Sequence, residues 1–132
     1  NVRATGPKPV ENAPWVVGVQ NPDGEKGDYL HTVYVQDVSV VTSGDYQRYY
    51  TVDGVRYHHI IDPDTLYPAA RWRAVTVLCP DSGLADALST ALFTLPQAEG
   101  QALLDRCGAE AMWVDLDGEL RYSPGFSDYI RT

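Results

Sequence analysis

The chain has 132 residues, ten Lys and Arg against eighteen Asp and Glu for a formal charge of -8, and a composition that is 44% hydrophobic and 21% charged. A single domain of this size buries enough surface for one core without disulfide staples, and these fractions exclude collagen-like, disordered and low-complexity classes. The acidic surplus also speaks against a nucleic-acid surface, because grip on a phosphate backbone comes from clustered Lys and Arg and only Arg71 and Arg73 approach a cluster.

The chain starts at Asn1, and its single methionine is Met112. That is read as a processed, trimmed or partial sequence in which a targeting segment would not show. Pro7, Pro9 and Pro14 with Gly6 predict an extended lead-in over residues 1–14, with the core starting at Trp15. Trp15-Val16-Val17-Gly18-Val19 is a first strand, closed by Asn21-Pro22-Asp23-Gly24. Two further β-branched and aromatic runs follow at 29–35 and 38–42, and Ser43-Gly44-Asp45 breaks the pattern.

Two Asp-Gly pairs, Asp53-Gly54 and Asp117-Gly118, each lie between alternating segments, 49–52 with 55–61 and 111–116 with 119–122. Both predict tight type I′ hairpins. Another strand is expected at 74–79, ended by Pro80. Leu84, Ala87, Leu88, Ala91, Leu92 and Leu95 then recur at helical spacing, with Asp81 or Ser82 as cap. Pro96 opens a second helix whose Gly100, Leu103, Leu104 and Cys107 share a face until Gly108 ends it. The fold class is α+β, a mainly antiparallel sheet with a late helical pair in a single domain over 1–132. Cys79 and Cys107 show neither a CxxC spacing nor histidine neighbours, which speaks against zinc and leaves buried thiols, a disulfide or a reactive thiol.

Three places can carry chemistry. Asp86 and Thr90, four residues apart with Ser89 between them, belong to the polar face of the first helix. The pair is either a solvated face or part of a Mg²⁺ site, since that ion takes one or two carboxylates and keeps several waters. His58 and His59 are adjacent on a strand, face opposite sides, and so offer at most one working imidazole, near Asp62. Asp62 suits an Asx turn equally well. Ser43-Gly44-Asp45 after a strand suits a phosphate or a ribose, or an ordinary turn. Tyr46, Tyr49 and Tyr50 offer rings for stacking or for strand packing. The P-loop, GxGxxG and GxSxG patterns do not occur.

The wording and order of these segments resemble the ApbE family of FAD:protein FMN transferases: Asn1 with Lys8-Pro9 and Pro14 to Pro22, then Thr42-Ser43-Gly44-Asp45-Tyr46, His59-Ile60-Ile61-Asp62-Pro63, Asp86-Ala87-Leu88-Ser89-Thr90-Ala91 and Ser123-Pro124-Gly125-Phe126. The resemblance covers nearly the whole chain. It implies a T-fold-like α+β architecture and a Mg²⁺-dependent transfer of FMN from FAD to a Thr or Ser hydroxyl of an acceptor flavoprotein, releasing AMP. By position, Asp86 and Thr90 are implied as the magnesium pair, His59 as the catalytic base and Asp62 as its orienter. Ser43, Gly44 and Asp45 are implied where the family closes on the dinucleotide. A bacterial envelope location, periplasmic or through a lipid anchor, is implied by the family alone, with a cytoplasmic one left open.

The chain departs from the family pattern in two ways. Thr65-Leu66-Tyr67-Pro68 has leucine where the family has glycine, which crowds or strains a turn if that glycine has positive φ. The family's sequence ahead of Asn1, with much of the flavin pocket, is also missing. The expectation is therefore a C-terminal portion completed by further sequence or by a separate N-terminal segment. The competing expectations are a flavin-binding or scaffolding descendant without transfer, and an FAD pyrophosphatase giving free FMN and AMP.

Overall fold

The computed structural model describes residues 1–22, 24, 27–44, 49–52, 55–58 and 71–130. Its strands are β1 (Val2–Ala4), β2 (Trp15–Gln20), β3 (Tyr29–Val35), β4 (Val38–Gly44), β5 (Tyr49–Val52), β6 (Val55–His58), β7 (Trp72–Cys79), β8 (Glu110–Asp115) and β9 (Leu120–Tyr122). Helices α1 (Ser82–Thr94) and α2 (Gln97–Cys107) stand between β7 and β8, and a 3₁₀ turn spans Phe126–Tyr129. Five strands form one sheet in the order β1-β4-β7-β8-β9, antiparallel throughout, while β2 pairs with β3 and β5 with β6. This is the expected α+β class with its late helical pair.

Strand periodicity explains the layering. Side chains alternate across a sheet, and here both faces are covered. Val41 of β4, Val75, Val77 and Cys79 of β7, and Ala111 and Trp113 of β8 point to one cluster with Leu88, Leu92 and Phe93 of α1 and Leu104 of α2. The alternate residues Val38, Val40, Leu78 and Met112 point to a second cluster with Val19, Val33 and Val35 of the β2–β3 hairpin and Phe126. The central strands therefore read as nearly continuous apolar runs. His31 Nε2 of β3 lies 2.6 Å from the Tyr122 hydroxyl of β9, which ties hairpin to sheet on its far side. Burial raises that phenol above its usual pKa, so it keeps its proton.

The lead-in expectation needs correction. Val2–Ala4 is an edge strand, paired Val2 to Val40, Arg3 to Ser39 and Ala4 to Val38, and Ala4 is buried. Three residues carry too little periodicity to announce a strand; their pairing depends on β4, far along the sequence. Beyond it, Asn12 takes a positive φ of 48° in a turn closed by Asn12 N–H to the Lys8 carbonyl, and Trp15 Nε1 donates to the Gly6 carbonyl at 3.1 Å.

The turn at Asp117-Gly118 also differs from expectation. Only Gly118 has positive φ, 84°, and Asp115 N–H donates to the Glu119 carbonyl, so three residues form the loop instead of two. Asp115 Oδ1 accepts from the N–H groups of Asp117 and Glu119, both at 2.9 Å, which favours the longer loop over the type I′ turn. Residues 53–54, the other Asp-Gly pair, lie outside the described residues, although β5 and β6 pair with Val52 opposite Val55 as a tight hairpin requires. Residues 59–61, the end of the expected strand, also lie outside them.

The helices begin and end as the sequence predicts, but α1 is rotated. Asp81 is the cap, its carboxylate accepting from Gly83 N–H at 2.8 Å and Leu84 N–H at 3.1 Å, and Gly108 ends α2 with φ 65°. The buried stripe runs Ala85, Leu88, Ser89, Leu92 and Phe93, whereas Leu84 is 38% exposed and Ala87 is exposed too. The expected stripe one residue earlier omitted Phe93, whose burial turns the helix, and small Ala85 and Ser89 let it sit close to the sheet. On α2, a Cβ at Gly100 would lie 2.8 Å from Leu92 Cδ2 and 3.4 Å from Trp113 Cζ2, so glycine sets the approach of the two helices. Cys79 is buried and Cys107 half-buried, both as free thiols.

The Ser123-Pro124-Gly125-Phe126 ending is latched to β8. Ser123 Oγ donates to the Glu110 carboxylate and accepts Ala111 N–H at 2.9 Å, while Gly125 N–H donates to Glu110 Oε2 at 3.1 Å. A Cβ at Gly125 would collide with that carboxylate. The latch delivers Phe126, fully buried, to the second cluster.

Two stability outcomes follow from these contacts. Gly100→Val should overpack the α1–α2 contact and cost about 1–3 kcal/mol, seen as a lower urea midpoint at unchanged slope. Asp81→Ala should cost about 1 kcal/mol through two lost cap bonds, whereas Asp81→Asn should recover most of it.

Candidate active site

The first turns of α1 face β1 across a cleft of 390 Å³ whose lining includes Asn1, Arg3, Val41, Ser82, Gly83 and Asp86. The helix is fixed in rotation by its buried row, and this leaves Asp86 and Thr90 both exposed, one turn apart on the same side. The Asn1 amide donates to Asp86 Oδ1 at 3.4 Å. The Thr90 hydroxyl donates back to the Asp86 carbonyl at 3.3 Å, which leaves its lone pairs for another partner.

This donor set suits a hard cation. A carboxylate and a hydroxyl, both oxygen donors, stand on one helical turn beside an open cleft, and Mg²⁺ bound by so few protein groups keeps waters or takes substrate oxygens. Among the described residues no three His, Cys, Asp or Glu side chains converge, so zinc-type chemistry finds no set there.

Ser43 and Gly44 end β4, where Ser43 pairs with Val75 and Gly44 with Ala74 of β7. Ser43 points to α1, and its hydroxyl lies 2.8 Å from that of Ser89. Ser89 corrects the polar-face assignment: it is fully buried, and its hydroxyl donates to the Asp86 carbonyl at 2.9 Å. A helix serine tolerates burial when its own turn accepts the proton and a neighbour supplies another. The structure therefore brings Ser43, Ser89, Asp86 and Thr90 together. Asp45, His59, Asp62 and Leu66 lie outside the described residues, as does Tyr46.

Sequence reasoning placed no site residue at Asn1 or Arg3, both of which line the cleft. Their position depends on the pairing of β1 with β4. Two further clefts flank the same strand, one of 680 Å³ between Val2–Thr5 and Trp15–Gly18 and one of 170 Å³ reaching Val17, Gln20 and Thr42.

Comparison with known proteins matches the sequence and the fold to one group. The sequence profile of the ApbE family matches residues 1–113. A FAD:protein FMN transferase of Treponema pallidum is 44% identical over 119 residues, 89% of this chain and 33% of that protein, and one of Escherichia coli K12 is 31% identical over 124 residues, 91% of this chain and 35% of that protein. The crystal structure of the ApbE protein of Thermotoga maritima superposes with a TM-score of 0.87 at 41% identity, covering 96% of this chain and 41% of that one. The flavin transferase ApbE of Vibrio cholerae superposes with a TM-score of 0.76 at 29% identity, again over 96% and 41%. The chain thus spans about a third of the length of the curated relatives it matches. With its profile matched over most of its length and its fold shared with solved members at these identities, the chain belongs to the ApbE family.

Proposed function

We propose that the chain is the C-terminal part of a Mg²⁺-dependent FAD:protein FMN transferase. The observation that carries the reading is the Asp86–Thr90 oxygen pair, exposed on one turn of α1 beside a cleft, in a chain whose relatives are named FAD:protein FMN transferases. Asp86 and Thr90 hold the cation. Bound there, Mg²⁺ supplies positive charge against the charge that grows on diphosphate oxygens during transfer.

The remaining roles follow family position. His59 takes the proton of the acceptor hydroxyl as general base, and Asp62 orients the imidazole. The acceptor oxygen forms its bond to the FMN-side phosphorus, the bond from that phosphorus to the bridging oxygen breaks, and AMP leaves with the electron pair. Gly44 and Asp45, with the main chain at Ser43, close on the dinucleotide. FAD and an acceptor flavoprotein with a target Thr or Ser are the partners. Since the chain spans about a third of its relatives, the rest of the flavin pocket comes from residues beyond these 132, on the same polypeptide or on a separate N-terminal segment. The location in this reading is the bacterial cell envelope.

Incubation of the completed protein with FAD, Mg²⁺ and an acceptor flavoprotein should give a fluorescent covalent band on the acceptor. Free FMN and AMP without a band would mark hydrolysis instead, and intact retained FAD would mark binding alone; either contradicts transfer. Asp86→Ala should lower the transfer rate on the order of 10- to 100-fold or more, partly restored by raised Mg²⁺, and His59→Ala on the order of 10²- to 10⁴-fold with no rescue by Mg²⁺.

A further inference from the structure

The hydroxyls around Asp86 have a fixed direction. Each serine hydroxyl carries one proton. Ser89 gives its proton to the Asp86 carbonyl at 2.9 Å, so in the Ser43–Ser89 pair, 2.8 Å apart, Ser43 is the donor. The order is Ser43 to Ser89 to the Asp86 peptide carbonyl. It joins the end of β4 to the turn of α1 that carries Asp86 and Thr90, and Ser89 is fully buried between them.

This direction bears on what Ser43 can bind. A diphosphate presents acceptors only, and the Ser43 proton is already committed to Ser89. Contact of Ser43 Oγ with a phosphate would therefore break the chain and leave the buried Ser89 oxygen without its donor, at the cost of an unsatisfied polar group.

We propose that Ser43 and Ser89 are positioning residues for the Asp86–Thr90 pair, and that the Ser43 hydroxyl acts on α1 and leaves the dinucleotide to its neighbours. The inference rests on the cation reading above. The Asp86 carbonyl receives the Ser89 hydroxyl at 2.9 Å and the Thr90 hydroxyl at 3.3 Å, in addition to the helical N–H four residues on. Ser89 is the nearer hydroxyl and is tied to the sheet through Ser43, so it holds to the sheet the Asp86 carbonyl that the Thr90 hydroxyl also bonds. Groups that orient metal ligands without touching the metal act in this way, and their removal typically weakens metal binding 10- to 100-fold.

The test measures Mn²⁺ affinity of the full chain by electron paramagnetic resonance of the free ion, alongside the melting temperature in chelator. Ser43→Ala and Ser89→Ala should each weaken Mn²⁺ binding by about tenfold or more. The double variant should be no weaker than the worse single one, because both break one chain. Ser43→Thr keeps the hydroxyl on a strand and should stay within about twofold of the parent.

Unchanged Mn²⁺ affinity in both alanine variants, with or without a lower melting temperature, would overturn the inference while Asp86→Asn still abolishes binding. If Asp86→Asn binds Mn²⁺ as the parent does, it is the cation reading that fails. Should Ser89→Ala not fold, the half-buried Ser43→Ala decides alone: unchanged affinity there overturns the inference, and a tenfold loss rescued by Ser43→Thr supports it.

Discussion

Helix α1 is clamped onto β4 and β7 by one row of side chains, Ala85, Leu88, Ser89, Leu92 and Phe93, and the placement of Asp86 and Thr90 depends on that clamp. The row fixes the rotation of the helix. With Phe93 and Leu92 fully buried in the cluster that holds Val75, Val77 and Trp113, Asp86 lines the cleft beside β1 and Thr90 stands exposed one turn on. The ends are fixed as well: Asp81 closes the first turn, and Trp72 Nε1 of β7 donates to the Leu95 carbonyl at 2.9 Å just past the last. In the proposed reading such a helix would present its two oxygens to a cation without first ordering them.

Strand β4 connects the other parts. Its one face receives α1, its other face joins the hairpin cluster, its outer edge carries β1 and its end carries Ser43 and Gly44. Cleft, helix turn and the Ser43–Gly44 strand end therefore share one rigid support. The C-terminal latch at Glu110, Ser123 and Gly125 stands apart from this and serves the second cluster through Phe126. The Ser-Pro-Gly-Phe ending thus has a packing explanation that needs no ligand.

Much of this was legible in the sequence, and the limits have physical causes. Asp81, Gly108 and the leucine period announced the helices because caps and periodicity are local. The rotation of α1 by one residue was not legible, because Leu84 and Phe93 compete for burial and the sheet decides between them. Likewise β1 has three residues and no pattern of its own, and the loop at Asp117-Gly118 follows Asp115, whose carboxylate captures two N–H groups. That Asp86 and Thr90 share one side of α1 was legible from i, i+4 spacing, whereas their reading as a metal pair rests on family position. Ser89 was misassigned to the exposed face, since a serine gives no sign of burial until its partner Ser43 is known. His59, Asp62 and Asp45 rest on family position.

The acidic composition contributes less than its size suggests. A charge of -8 is compatible with cation binding, yet the proposed cation pair contains one carboxylate, Asp86, with a hydroxyl one turn on. The account therefore turns on whether a divalent ion seats at that turn. Crystals grown with Mn²⁺ and measured near the manganese absorption edge test this directly. The predicted result is an anomalous peak bonded to the Asp86 carboxylate and the Thr90 hydroxyl; a peak elsewhere, with these two oxygens facing solvent, would contradict it.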